Sequence, residues 1–348
     1  MDKQKNIEKQ RDQFTTGLGV LFATLGSAVG LGNIWKFPYL AGANGGAAFL
    51  ILYILCTLLI GIPIMVVEQM LGREGRGDAV TSLRRLAPSK PWWLIGAGGI
   101  LAAFLIMAFY TEVAGWVFAY IFKSATGTLL STNPTETSAA FASLVSNPLM
   151  SLVVQWVVLA VTGTIILFGV SKGIEATTKR LMPLLFVLLV IVGIRSLTLP
   201  GAGEGLEFLF KPDFSKITGP VILAAMGLAF FKLSIGMGCM ITYGSYFGKD
   251  QDIPLTATRV AFADLTISVL AGIAIFPAVF AYGFEPASGP SLLFITVPAV
   301  FASMPLGSFF MTIFFILTAI ASIGAMLSLI EVIVSWLETV FKLSRVRS

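Results

Sequence analysis

The chain has 348 residues, of which 56% are hydrophobic and only 12% are charged, with a mean hydropathy of +0.90. Soluble proteins average about 25% charged residues, so this composition excludes a large soluble domain and predicts a polytopic membrane protein. The sequence contains no histidine, which excludes His-ligated metal centres and His-based catalytic triads. The net charge of +5 does not indicate a nucleic-acid partner, because the basic residues lie in loops between apolar segments.

Eight apolar segments are long enough to cross a bilayer at roughly 20 residues per crossing. We name them spans 1 to 8, and they cover residues 15–38, 42–71, 92–123, 149–170, 177–199, 220–247, 257–283 and 305–340. Seventeen of the 23 Lys and Arg residues fall on the side of the N-terminus, five fall on the other side, and Lys232 lies inside span 6. The positive-inside rule therefore predicts a multi-pass protein of the cytoplasmic membrane with both termini in the cytoplasm.

Two spans are interrupted by glycine-rich stretches in mid-membrane. Span 1 contains GSAVGLGN (Gly26 to Asn33), and span 6 contains KLSIGMG (Lys232 to Gly238). One explanation is close packing of helices through small residues. The other is a pair of discontinuous helices whose unwound backbone lines a binding site, as in secondary transporters. The equivalent positions of the two stretches, five spans apart, favour the second explanation and predict an inverted repeat of five helices, covering residues 1–199 and 200–348.

Several stretches resemble the neurotransmitter:sodium symporter family, in particular its bacterial amino-acid transporters of the LeuT fold. The resemblance lies in residues 23–73, which begin ATLGSAVGLGNIWKFPYL, in FYTEVAGW (109–116), FFKLSIGMGCMITYGSYFGKDQDIP (230–254), LAGIAIFPAVFA (270–281) and SLIEVIVSWLE (328–338). It implies an all-α membrane fold with broken spans 1 and 6, and secondary transport of an amino acid by alternating access, with no cofactor and no enzymatic activity. The family needs spans 9 and 10 to complete the second repeat, whereas this sequence provides spans 6 to 8 only.

The resemblance also implies where substrate and cations bind. The substrate's carboxylate would lie at Gly32 and Tyr110 and its ammonium near Phe231 and Ser234. The full substrate set is Ala28, Gly32, Ile106, Tyr110, Phe231, Ser234, Met237 and Leu329. The first cation site corresponds to Ala28, Asn33, Lys232 and Asp264, and the second to Gly26, Val29, Ala321, Gly324 and Ala325. The gates correspond to Arg11, Phe14, Lys36 and Tyr246.

Both cation sites depart from the family pattern. Lys232 replaces a hydroxyl residue at the first site, and Gly324 and Ala325 replace two hydroxyl residues at the second. Sodium needs several oxygen ligands, so we expect its binding to be weak or absent. We hypothesise that the Lys232 ammonium is a tethered cation that balances Asp264. The alternative is that Lys232 extends to a membrane interface. With a tethered cation, coupling is sodium-independent, linked to protons or lost.

Other positions leave alternatives open. Glu68 and Glu331 are expected to pair with backbone or basic groups as structural residues, whereas Glu112 either carries a proton or packs against another helix. The family's cytoplasmic latch acid is replaced by Thr339, next to Glu338. The alternative function is a truncated, non-transporting membrane protein that retains an amino-acid pocket. Besides the substrate and the bilayer, the partners to consider are a polypeptide that supplies the missing helices and a second copy of this chain.

Overall fold

The computed structural model describes residues 12–129, 131–284, 286 and 292–346. Within these residues the secondary structure consists of helices and their connections, without a strand. The all-α prediction is confirmed.

Six of the predicted spans are continuous helices that are long and apolar enough to cross a membrane. They are span 2 (Ala47–Gly75), span 3 (Trp93–Ala125), span 4 (Pro148–Leu167), span 5 (Val170–Leu197), span 7 (Ile253–Ala281) and span 8 (Gly307–Phe341). Spans 2 and 5 each include a π-helical turn, at Thr57–Gly61 and Val170–Glu175. Shorter helices in the connections are Ala79–Leu86, Pro134–Val145, Ala202–Phe210 and Thr296–Ala302, together with a 3-10 turn at Phe214–Lys216.

Local sequence explains where several of these helices begin. Span 4 starts after Asn147, whose side chain accepts a hydrogen bond from the backbone N–H of Met150 at 3.0 Å. Span 7 starts in the same way after Asp252, which accepts from Leu255 N at 2.9 Å. Both helices carry a proline in the first turn, where its missing N–H costs no helical hydrogen bond. A polar cap followed by proline therefore marks the start of spans 4 and 7.

Spans 1 and 6 are broken at the predicted positions. Span 1 consists of two helices, Gly17–Ala28 and Gly32–Ala43, bent by 47°. Its second helix opens with a π-helical turn, Gly32–Lys36. Span 6 consists of Gly219–Lys232 and Cys239–Gly244, with non-helical residues 233–238 between them. In this segment Gly236 and Gly238 have φ values of 80° and 76°, which glycine adopts without steric cost.

Most residues of the two breaks are buried. Span 8 packs along span 3 and also contacts spans 1 and 5, while span 7 contacts spans 1, 2 and 5. Most of spans 7 and 8 is buried, whereas spans 2, 4 and 5 leave large apolar side chains exposed, among them Leu59, Trp156 and Val187. Such outward-facing apolar side chains suit contact with lipid. Spans 7 and 8 thus pack against the broken span 1, and span 8 also contacts the second helix of span 6.

Candidate functional site

A cavity lies where the two breaks face each other. It is lined by Ser27, Ala28, Gly30, Gly32, Ile106, Tyr110, Phe231, Lys232, Ser234, Met237, Ala325 and Leu329. All eight residues of the substrate set that the resemblance implies are among them, so the fold brings this set together. The cavity volume is ≈ 20 Å³, about the space that one water needs. An amino acid therefore fits only if lining side chains move.

Tyr110 marks the end of the cavity that adjoins span 1. Its hydroxyl accepts a hydrogen bond from the backbone N–H of Leu31 at 2.8 Å. A Cβ added at Gly30 would lie 2.6 Å from that hydroxyl and 2.9 Å from the Cβ of Ala325, so the absence of a side chain at Gly30 lets spans 3 and 8 approach the break. The second helix of span 1 begins here, and a helix N-terminus carries positive partial charge. This end suits a carboxylate.

The broken part of span 6 forms the opposite wall. Ser234 has φ 54°, a strained value for a residue other than glycine, and its hydroxyl donates to the carbonyl of Ser27 at 2.8 Å. Glu68 in span 2 accepts a hydrogen bond from the backbone N–H of Gly236 at 2.7 Å. These two bonds fix the unwound segment to spans 1 and 2. Glu68 thus contacts backbone, which agrees with the structural role expected for it.

A buried ion pair lies at the predicted first cation site. Lys232 Nζ is 3.1 Å from Asp264 Oδ2, and both side chains are 0% exposed. Lys232 also donates to Ser268 Oγ, and Asn33 Nδ2 donates to Asp264 Oδ1 at 2.8 Å. The ammonium therefore does not extend to a membrane interface. It lies inside the protein and is paired with the acid that the resemblance assigns to this site.

Sequence reasoning missed two members of this network. The hydroxyl of Tyr53 in span 2 donates to Asp264 Oδ2 at 2.6 Å, and Ser268 Oγ donates to the carbonyl of Asp264 at 2.7 Å. Ser268 lies one helical turn after Asp264, so helical periodicity could have identified it. Tyr53 is 211 residues away from Asp264 in sequence, and only the three-dimensional packing brings the two together.

The predicted second cation site is a contact between spans 1 and 8. A Cβ added at Gly324 would lie 2.7 Å from the carbonyl oxygen of Gly26 and 3.2 Å from Met182 Cε. Ala321, the predicted carbonyl ligand of span 8, adjoins Gly30. A Cβ added at Gly30 would lie 3.8 Å from the carbonyl oxygen of Ala321. Span 8 thus approaches the Gly26 carbonyl through a residue without a side chain. A hydroxyl residue does not fit at position 324 in this packing.

The predicted gate residues form two groups. Phe14 packs edge-on against Tyr243 and Tyr246, with ring centroids 5.7 and 6.1 Å apart. On the other side of the cavity, Lys36 Nζ lies 4.1 Å from the centroid of the Phe231 ring, a distance typical of a cation–π interaction. Arg11, the remaining predicted gate residue, lies outside the described residues.

An ion pair whose basic partner was not identified from the sequence lies beside Tyr246. The hydroxyl of Tyr246 donates to Glu331 Oε1 at 2.6 Å, and Arg345 forms an ion pair with the other carboxylate oxygen. Arg345 also donates to the carbonyl of Ile166 at 2.7 Å and lies 3.5 Å from Glu338. Glu331 therefore pairs with a basic group as expected. Its partner comes from the segment after span 8.

Two other polar residues of spans 3 and 8 bond within their own helices. Glu112 accepts a hydrogen bond from Trp116 Nε1 at 3.0 Å and is not among the residues that line the cavity. Thr339 donates to the carbonyl of Ser335 at 2.7 Å. Within the part of the chain that the structure describes, neither Glu112 nor Thr339 forms a hydrogen bond with Lys232 or Asp264.

Comparison with known proteins supports the family resemblance found in the sequence. The family model described as "Sodium:neurotransmitter symporter family" matches residues 11–143 and 144–347. An uncharacterized sodium-dependent transporter of Bacillus subtilis, YhdH, is 42% identical over 335 residues, which cover 96% of this chain and 73% of that protein. An uncharacterized sodium-dependent transporter of Haemophilus influenzae is 39% identical over 97% of this chain and 76% of its own length.

A solved structure gives the fold independently. The crystal structure of MhsT in complex with L-phenylalanine superimposes with a TM-score of 0.91 and 47% sequence identity. The match covers 97% of this chain and 77% of that protein. The expected transporter fold with broken spans 1 and 6 is confirmed, and the chain belongs to the sodium:neurotransmitter symporter family.

Proposed function

We propose that this protein transports an amino acid across the cytoplasmic membrane by alternating access, with Lys232 in place of a bound sodium ion. The amino-acid substrate is supported by the likeness to MhsT, which was solved with L-phenylalanine. It is also supported by the cavity, which has a helix N-terminus and a tyrosine at one end and unwound backbone at the other. Ile106, Met237 and Leu329 supply apolar lining, so an amino acid with an apolar side chain suits it.

The observation that carries the ion-coupling part is the pair of Lys232 and Asp264 beside the cavity. Both side chains are 0% exposed and lie 3.1 Å apart, and a buried acid with a cationic partner has no need of a second cation. Two like charges 4 Å apart repel by about 4 kcal/mol at an effective dielectric constant of 20. The Lys232 ammonium therefore disfavours a sodium ion at the same position.

The second predicted cation position also argues against sodium binding. The residues present do not fit a sodium ion there, because Gly324 packs against the Gly26 carbonyl and neither Gly324 nor Ala325 has a side-chain oxygen. With both positions altered, we propose that transport proceeds without sodium. Its driving force is then a proton gradient or the gradient of the amino acid itself.

Uptake into proteoliposomes tests this proposal. The native protein is expected to take up L-phenylalanine or L-leucine equally well in sodium chloride and in choline chloride. Strict dependence on sodium, as the names of the bacterial relatives would lead one to expect, would overturn the tethered-cation model. An inward proton gradient separates the two remaining cases, because it raises uptake only if protons are coupled. Amino-acid binding without flux would instead indicate a binding protein that does not transport.

The variant Lys232→Thr restores the family's hydroxyl and leaves Asp264 without its cation. We expect sodium to raise the melting temperature of this variant and to stimulate its amino-acid binding, because a ligand that binds only the folded state stabilises it. The matched control is Lys90→Thr, which removes an exposed lysine far in sequence from the site. Sodium effects that are equal in both variants and in the native protein would contradict the model.

A further inference from the structure

One buried acid of the spans has no basic partner in the described part of the chain. Glu175, Asp264 and Glu331 each form an ion pair with a lysine or an arginine. Glu68 in span 2 is 9% exposed and forms no ion pair within the described residues. Its Oε1 accepts from the backbone N–H of Gly236, and its buried Oε2 has no hydrogen-bond partner there. Glu68 therefore differs from the other three acids, because no cation balances its charge.

An ionised carboxylate is unfavourable in this position. A lone buried charge is costly in a low-dielectric interior, and a group that can take up a proton becomes neutral instead. The neutral carboxyl group keeps the bond to the backbone, because its Oε1 still accepts from Gly236. Burial thus favours the protonated form of Glu68, with the proton on Oε2.

Glu68 lies directly behind the wall of the cavity. Its partner Gly236 lies between Ser234 and Met237, which both line the cavity. Ser234 and Gly236 have φ values of 54° and 80°, so this segment is not helical. In alternating access the cavity opens to water, and water that reaches the unwound segment also reaches Glu68. A glutamic acid in water is ionised at neutral pH, so opening releases the proton.

The surroundings of Glu68 contain one titratable group that interacts with it, the thiol of Cys239 in the second helix of span 6. A thiol is mostly neutral at pH 7. The part of span 2 that carries Glu68 also packs against span 7 and the helix Ala79–Leu86. The other titratable or charged residues of these three elements form neither an ion pair nor a hydrogen bond with Glu68 in the described structure, and they are Arg84, Arg85, Tyr243, Arg259 and Asp264.

We infer that Glu68 binds the proton that is transported together with the amino acid. The carboxyl group is protonated while the cavity is closed. When the cavity opens toward the cytoplasm, its O–H bond breaks, the proton passes to water and the carboxylate remains. This inference rests on the proposed sodium-independent transport and selects the proton from its two driving forces. The proton adds one positive charge to the transported zwitterion, so transport then gains from a membrane potential that is negative inside.

The test is the variant Glu68→Gln, measured by amino-acid uptake into proteoliposomes without sodium and with the membrane potential held at zero. The uncharged amide has an oxygen that can accept from Gly236, but it cannot release a proton. With the outside one pH unit more acidic than the inside, one coupled proton should let the native protein accumulate L-phenylalanine or L-leucine about tenfold. Glu68→Gln should show no accumulation and should retain exchange of internal for external amino acid. Tenfold accumulation by Glu68→Gln, or none by the native protein, would overturn the inference.

Infrared spectroscopy tests the proton itself. At neutral pH the native protein should show the C=O stretching band of a protonated carboxylic acid, and Glu68→Gln should lack it. The matched control is Glu112→Gln, which replaces an acid of span 3 that accepts from Trp116 and does not line the cavity. This control should keep both the band and the accumulation. A band that persists in Glu68→Gln, or is lost in Glu112→Gln instead, would overturn the inference.

These measurements distinguish failure of the inference from failure of the proposed function. If uptake by the native protein requires sodium, the proposed function fails. If uptake is independent of sodium and Glu68→Gln still accumulates the amino acid in a pH gradient, only the inference fails. Loss of amino-acid binding in Glu68→Gln would also overturn the inference, because the amide resembles the protonated carboxyl group in shape and charge.

Discussion

Replacing Gly324 with alanine is expected to force spans 1 and 8 apart. The added Cβ would lie 2.7 Å from the carbonyl oxygen of Gly26, well inside ordinary van der Waals contact. That oxygen belongs to the backbone of a buried helix and cannot rotate away. The second close atom, Met182 Cε at 3.2 Å, ends a flexible side chain and can move. The carbonyl contact therefore determines the cost.

Overpacking of this kind costs typically about 1–3 kcal/mol. Alanine also stabilises a helix relative to glycine by about 0.5–1 kcal/mol, which partly offsets the clash. The variant Gly227→Ala isolates the contact, because a Cβ added at Gly227 has no atom within 4 Å. Both variants gain the same helical preference, so the difference of about 1–3 kcal/mol between them measures the packing of Gly324 alone.

Thermal unfolding of the detergent-solubilised protein gives this comparison. Helical membrane proteins often unfold irreversibly, so apparent melting temperatures are compared at one heating rate. Gly324→Ala should melt below the native protein and Gly227→Ala at or above it. Equal melting temperatures of the two variants would refute the close contact between Gly324 and Gly26.

The same geometry predicts that a hydroxyl at this position does not create a sodium site. The methylene of Gly324→Ser meets the Gly26 carbonyl before its oxygen can act as a ligand, so sodium should leave the melting temperature of this variant unchanged. A rise with sodium, absent in Gly227→Ala, would show that spans 1 and 8 separate easily and would contradict the argument.

Two more substitutions test contacts elsewhere. A Cβ at Gly19 would lie 2.0 Å from Glu175 Oε1, whereas a Cβ at Gly17 would have its nearest neighbour at 3.7 Å. Gly19→Ala should therefore lower the melting temperature, and Gly17→Ala should not. Equal melting temperatures of the two variants would contradict the packing of span 1 on span 5. Tyr53→Phe removes the hydroxyl that donates to Asp264 at 2.6 Å and should cost about 1–3 kcal/mol of stability. The same melting assay measures this loss. A melting temperature equal to that of the native protein would show that the hydrogen bond does not stabilise the fold.

Local patterns in the sequence were sufficient to predict the broken helices. Glycine-rich stretches in two apolar segments indicated the breaks, and the structure has positive φ values at Gly236 and Gly238. The positions implied by the resemblance also converge, since all eight substrate residues line one cavity. These features depend on backbone preference and on short motifs, which a single sequence displays directly.

The remaining contacts depend on which faces of distant helices meet. The hydrogen bond from Tyr53 to Asp264 joins residues 211 apart, and Arg345 reaches Glu331 because the chain reverses at Lys342, which has φ 53°. No periodicity marks Tyr53 among the apolar residues of span 2. Ser27, which also lines the cavity, was not predicted, because a small polar residue in a glycine-rich stretch is equally expected for helix packing.

The two positions that we propose as altered cation sites differ in the charge that each must accommodate. Asp264 places a carboxylate in the membrane interior, which requires a cation, and Lys232 provides one from the chain itself. The contact between Gly26 and Gly324 contains backbone dipoles and no acid, so direct helix packing suffices there.

An amino-acid zwitterion adds no net charge to such a site. Transport with the tethered ammonium alone therefore moves no charge across the membrane and gains nothing from the membrane potential, whereas each sodium ion would contribute about 2.3 kcal/mol per 100 mV. Under the proposed mechanism, accumulation of the amino acid thus requires a proton or exchange for another amino acid, because no sodium ion would then carry charge with the substrate.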